Sequence, residues 1–120
     1  MALSSSDPET VVQRQLDAYN AHDVEGLVAT YADDAELFAH PSELLNQGSA
    51  QIRERYTRRF RDAQPHAVIL KRIVLGPTVI DHEEITTRSA EGPQTVRAVV
   101  IYEVLQGKIA RAWFISDRKA

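Results

Sequence analysis

The chain has 120 residues, 43% of them hydrophobic and 26% charged, and its 14 Lys and Arg against 17 Asp and Glu give a formal net charge of −3. That length suits one domain spanning residues 1–120, with enough chain to bury a core without covalent staples. A cysteine count of zero excludes a disulfide framework, a thiolate nucleophile and Cys-based zinc or iron–sulfur sites. The opening MALSSSDPE has neither the basic nor the apolar stretch of a secretory signal, and no apolar run approaches the ~20 residues that cross a bilayer. A cytoplasmic protein with no membrane partner is therefore expected.

Charge is distributed unevenly. Residues 1–50 carry a net −8 and residues 51–120 a net +5, much of it in Arg53, Arg55, Arg58, Arg59 and Arg61. Such a cluster is either a solvated helix face beside acidic neighbours or an anion-binding face. The net acidity argues against a nucleic-acid partner.

Residues 1–6 read as a flexible lead, and Asp7-Pro8-Glu9 starts a helix because Asp caps free N–H groups and Pro suits the first turn. Val12, Leu16 and Tyr19 follow on one helical stripe. Asn20 to Asp23 break that helix, Asp23 caps a second over 24–32 with Leu27, Val28 and Tyr31 buried, and Asp33-Asp34 ends it. Glu36–His40 is strand-like before Pro41, and Leu44–Gly48 is a second short extended piece. Ser49 is the expected N-cap of a third helix, in which Ile52, Tyr56 and Phe60 recur every four residues and the arginines fall mostly elsewhere.

The second half is strand-forming. His66–Leu75, Thr78–Arg88, Gln94–Leu105 and Lys108–Ser116 are rich in β-branched and aromatic residues and are separated by Gly76-Pro77, Ser89–Pro93 and Gln106-Gly107. These connections predict an antiparallel meander. Val96–Tyr102 and Ala110–Ile115 are largely apolar at both parities, so both faces of that part of the sheet should be covered. Helices cover one face and a second copy of the chain most simply covers the other. The fold class is α+β, three helices on a sheet, as a homodimer.

Val11-Val12-Gln13-Arg14, Tyr19-Asn20-Ala21-His22-Asp23, Tyr31-Ala32-Asp33-Asp34-Ala35, Gly48-Ser49-Ala50-Gln51-Ile52-Arg53 and Gly107-Lys108-Ile109 resemble the nuclear-transport-factor-2-like superfamily. The similarity is to its SnoaL-like branch, related to steroid Δ-isomerase. It implies a cone, a curved antiparallel sheet wrapped by three N-terminal helices around an apolar pocket. It also implies frequent dimerisation through the outer sheet face, where Trp113 is expected. The superfamily hosts isomerases, dehydratases, epoxide hydrolases, cyclases and non-catalytic binders, so the likeness leaves function open. Ketosteroid isomerases use a tyrosine, a carboxylate base and a protonated aspartic acid. The matching positions here hold Gln15, His40 and Val100, so steroid isomerisation by that set is disfavoured.

The same match puts Ile80, His82, Glu84 and Thr86 inside, with Ala98, Val100, Tyr102, Ala112 and Phe114. Val79, Asp81, Glu83 and Ile85, with Val99, Ile101, Arg111 and Trp113, then lie on the outer face. On that assignment His40, His82 and Glu84 are the candidate catalytic groups. Imidazole exchanges protons near neutral pH, and a glutamate beside it would orient the ring. Gln15, Tyr19, Phe38, Tyr56, Val100, Tyr102 and Phe114 are the candidate ligand contacts. This equipment suits an acid–base isomerase or lyase acting on a small apolar carbonyl or hydroxy compound. The alternative is a non-catalytic small-ligand or protein-interaction domain, with Asp81-His82-Glu83-Glu84 a polar patch or a set of dimer salt bridges. No HExxH, His-x-His, Gly-x-Ser-x-Gly or phosphate-loop pattern occurs, so no metal and no cofactor is expected.

Overall fold

The computed structural model describes residues 6–117; residues 1–5 of the expected flexible lead lie outside it. Its elements are α1 (Pro8–Asn20), α2 (Val24–Val28), β1 (Tyr31–Ala39), β2 (Glu43–Gln47), α3 (Ser49–Ala63), β3 (His66–Leu75), β4 (Thr78–Thr87), β5 (Gln94–Leu105) and β6 (Lys108–Ser116). The strands form one six-stranded sheet in the order β2-β1-β6-β5-β4-β3. This is the expected α+β class, helices against a sheet that is antiparallel except where β1 runs parallel to β6. Among the described residues no helix is long and apolar enough to cross a membrane.

Local chemistry sets the helix starts. Asp7 accepts from Thr10 N–H at 3.4 Å with Pro8 in the first turn, and Asp23 accepts from Gly26 N–H at 3.0 Å. Two expectations are corrected here. The second helix ends at Val28, and Tyr31 already begins a strand; Thr30 closes the turn by donating its hydroxyl to the Leu27 carbonyl at 2.7 Å. The cap of α3 is Gly48, not Ser49. Gly48 turns the chain at φ 86°, a conformation that a side chain disfavours.

The hairpins close as their sequences demand. Leu75 pairs with Thr78 and Leu105 with Lys108, leaving two-residue loops. In the second loop both Gln106 and Gly107 have positive φ, the requirement of the turn that matches strand twist. The helices cover one face of the sheet, and the core there includes Val11, Val12, Leu27, Leu37, Ile52, Val79 and Ile109, all fully buried.

A bulge in β3 organises the interior. His66 to Ile69 pair with Thr86 to Glu83, the register then shifts, and Arg72 comes to lie opposite Asp81. An extra residue re-aims every side chain beyond it. Here it turns Arg72 inward, where its Nε and Nη2 donate to the two carboxylate oxygens of Asp81 at 2.6 and 2.9 Å. Arg72 Nη1 also donates to Gln13 Oε1 of α1 at 2.9 Å, tying helix to sheet. Removing one partner from a buried pair strands the other charge, at a cost of about 3–5 kcal/mol. Arg72→Met should lose that much stability in chemical denaturation, while Arg72→Met combined with Asp81→Leu should lose clearly less. Equal losses would mean the pair is not a coupled unit.

Candidate active site

A cavity of about 280 Å³ lies between the helices and the inner face of the sheet. Gln15, Leu16 and Tyr19 reach it from α1, and Arg55, Tyr56 and Arg59 from α3. Its sheet wall is largely apolar, with Ile85, Val96, Ala98, Val100 and Phe114 around Tyr102 and Glu83. The period of the helices explains the first group. Residues 15 and 19, and again 55 and 59, are one turn apart and share a face.

Of the expected ligand contacts, Gln15, Tyr19, Tyr56, Val100, Tyr102 and Phe114 line this cavity. Phe38 is not among the lining residues. Its ring stacks on Trp113 at 5.7 Å with 13° between planes, and Trp113 pairs across β5 with Ile101 on the other face of the sheet.

The three expected catalytic groups do not converge. β4 alternates with Val79, Asp81, Glu83 and Ile85 buried, so His82 and Glu84 point away from the helices, reversing the assigned parity. Glu84 sits across from Arg97 and 3.6 Å from its guanidinium. His82 is flanked by Lys71 and Val99 on that outer face. His40 is exposed beside the cis His40–Pro41 bond and borders a separate hollow with Trp113, Ile101 and Glu103. The physical reason is register: β4 and β5 pair as Asp81 with Val100 and Glu83 with Ala98, and a one-residue slip exchanges the faces.

What the cavity holds instead is Glu83, 7% exposed. Among the described residues its carboxyl has no hydrogen-bond or ion-pair partner, in contrast to Asp81 two residues away on the same face. Burial pushes Glu83 up to about 7, the Asp81 charge adds to the rise, and the Arg59 and Arg72 guanidiniums oppose it. A carboxyl with that value exchanges a proton near neutral pH.

The hydroxyl-bearing Tyr19 and Tyr102 belong to the same cavity. Arg59 Nε donates to the Tyr19 hydroxyl oxygen at 2.9 Å, which leaves the tyrosine proton to point elsewhere. Burial pushes Tyr19 up to about 12 although Arg59 opposes the rise, so it stays protonated. Tyr102 is driven well above its ordinary value, first by burial, and donates to Gln15 Oε1 at 3.3 Å. That bond orients the Gln15 amide, whose NH₂ is a further donor. Among the described residues, no group of three or more His, Asp or Glu is placed to hold a metal ion.

The fold and sequence have relatives. The SnoaL-like domain family matches residues 12–112, whereas no curated protein matches the sequence. An uncharacterized cystatin-fold protein from Novosphingobium aromaticivorans is 25% identical, covering 95% of this chain and 99% of its own, with a TM-score of 0.79. An NTF2-like protein of unknown function from Cytophaga hutchinsonii is 16% identical over 98% of this chain and 93% of its own, TM-score 0.76. A LEH-like epoxide hydrolase of M. tuberculosis is 16% identical over 89% of this chain and 80% of its own, TM-score 0.79. The last two likenesses show the fold alone. With the family match running from α1 into β6, the chain belongs to the SnoaL-like domain family.

Proposed function

We propose that the protein is an acid–base enzyme of the isomerase or lyase type, acting on a small, largely apolar carbonyl or hydroxy compound with Glu83 as the proton-transfer group. The observation that carries this reading is the Glu83 carboxyl, buried in the cavity wall without a partner and shifted to about 7. A structural carboxylate would have a cation, as Asp81 has Arg72. Glu83 in its ionised form removes a proton from carbon next to a carbonyl. The Tyr19 hydroxyl, polarised by Arg59, donates to the oxygen on which negative charge develops. Such a donor in a water-poor site stabilises the charged state with little reorganisation. Glu83 then returns its proton to a neighbouring atom, or to a departing hydroxyl in the lyase variant.

Deuterium exchange at the α-carbons of small ketones in D₂O, followed by NMR, detects the first step without knowledge of the natural substrate. Exchange should rise with pH through about 7 as Glu83 ionises. Glu83→Gln should lower it by at least about 100-fold, whereas His82→Ala on the outer face should leave it unchanged. Exchange that survives in Glu83→Gln would remove Glu83 from the chemistry and favour a binder with the same cavity.

The same carboxyl should set part of the pH dependence of stability. In the unfolded chain Glu83 titrates near 4.5 and in the folded chain near 7. Between those values the folded state holds the extra proton, so stability is full below the lower value and falls as pH rises to the higher one. Relative to wild type, Glu83→Gln should gain about 3 kcal/mol between pH 4 and pH 8. A difference that does not change with pH would contradict the assigned charge state.

We also propose a homodimer through the outer face of the sheet. The stacked Phe38–Trp113 pair and the exposed Val68 and Ile73 of β3 support it as an apolar surface suited to a second copy. Trp113→Arg should convert the dimer to monomer in sedimentation analysis. An oligomer that survives it would place the contact elsewhere.

A further inference from the structure

The arginines of α3 are not equivalent. Arg53 is held by Glu25 at 2.8 Å and Arg61 by Asp62 at 2.8 Å, both on the exposed side. Arg55 and Arg59 lie one turn apart and turn instead to the cavity, where both line the wall. Among the described residues neither takes part in an ion pair. They are steadied by rings and neutral groups. The Arg55 guanidinium carbon lies 5.6 Å from the Phe114 ring centre and 5.9 Å from that of Tyr56, and Nη1 donates to Asn46 Oδ1 at 3.1 Å. Arg59 lies 5.9 Å from the Tyr19 ring centre and donates to its hydroxyl. Arg55 Nε is fully buried and without a hydrogen-bond partner.

An unpaired buried donor on a guanidinium is costly, and a planar oxyanion is the group that best satisfies it. Two guanidiniums in contact with no carboxylate among the described residues give this end of the cavity a positive potential, felt by Glu83 across the cavity, and aromatic contacts fix their direction without cancelling it. Glu83 lies on the opposite, sheet-borne wall, and an approaching anion would favour its protonated form.

We propose that Arg55 and Arg59 form an anion-recognising pair, so that the cavity takes a small apolar molecule bearing one carboxylate. This rests on the reading of the cavity as the ligand site and names its substrate class. A carboxylate fits better than a phosphate ester. It is planar, matches the guanidinium fork and brings one charge into a small cavity that already holds Glu83 in its wall.

The test is a matched set of probes, 3-phenylpropanoate, its neutral amide 3-phenylpropanamide, and phenyl phosphate. Each is titrated at pH 7.5 into the isotopically labelled protein, with the Ala98 and Val100 amide signals marking the cavity. The carboxylate should bind at least about tenfold more tightly than the amide. Arg55→Gln with Arg59→Gln should abolish that preference while amide binding persists, which also demonstrates an intact cavity. Arg58→Gln with Arg61→Gln removes the same charge from the exposed side of the helix and should retain the preference. Equal binding of carboxylate and amide overturns the proposal and leaves the cavity reading standing. So does a preference that survives in the cavity double variant, one lost equally in the surface variant, or tighter binding of phenyl phosphate. If neither the carboxylate nor the amide perturbs the cavity signals, the proposal is also overturned, and the deuterium-exchange assay separately decides whether Glu83 acts on uncharged ketones.

Discussion

Two carboxylates stand side by side on the buried face of β4, and the fold tolerates them because only one is treated as a permanent charge. Asp81 receives a two-pronged contact from Arg72, delivered by the bulge in β3. Glu83, one step along the same face, receives nothing comparable. Burying an ionised carboxyl without a partner costs several kcal/mol, and such a group escapes the cost by keeping its proton. The bulge thus gives Asp81 the forked guanidinium of Arg72 as its partner and leaves Glu83 without one. Without it, the antiparallel register of Ile69 with Glu83 would continue and bring Lys71 opposite Asp81.

The cavity is a compromise between the apolar wall that raises Glu83 and the cations that limit the rise. Arg59 serves both sides of that balance. It lowers the cost of ionising Glu83 and polarises the Tyr19 hydroxyl. Tyr19, Tyr56 and Phe60 pack edge-on or tilted, which fixes the helix faces that carry these groups. A proton acceptor, a hydroxyl donor and a cationic end therefore sit on three different elements whose mutual positions are set by the core. Mobility at any one contact would be felt as misalignment of the others.

Much of this architecture was legible in the sequence. The Asp7-Pro8 start, the Asn20-to-Asp23 break, the Ile52-Tyr56-Phe60 stripe and the Gln106-Gly107 turn have local causes, and the structure obeys them. Of the cavity residues, 19 and 56 lie on the helical stripes and 15, 100, 102 and 114 are those the family resemblance implies, and all six line it. The face of β4 was not legible. Val79-Asp81-Glu83-Ile85 and Ile80-His82-Glu84-Thr86 are about equally polar, and the connection from β4 to β5 over residues 88–93 is long enough to accept either register. The buried set even contains both of the acids that a hydropathy argument would place outside. Asp81 is compensated by Arg72, whose inward direction depends on a bulge that no short pattern in His66–Leu75 announces.

The central claim is that Glu83 is a proton-exchanging group at neutral pH, and its carboxyl can be observed directly. A ¹³C NMR titration with labelled glutamate, assigned by comparison with Glu83→Gln, gives the ionisation midpoint of this side chain in the folded protein. The account predicts a midpoint near 7, moving upward when Arg59 is replaced by Gln because one of the cations opposing the rise is gone. A midpoint near the ordinary 4.5 would contradict it, since Glu83 would then be a permanently ionised carboxylate at neutral pH.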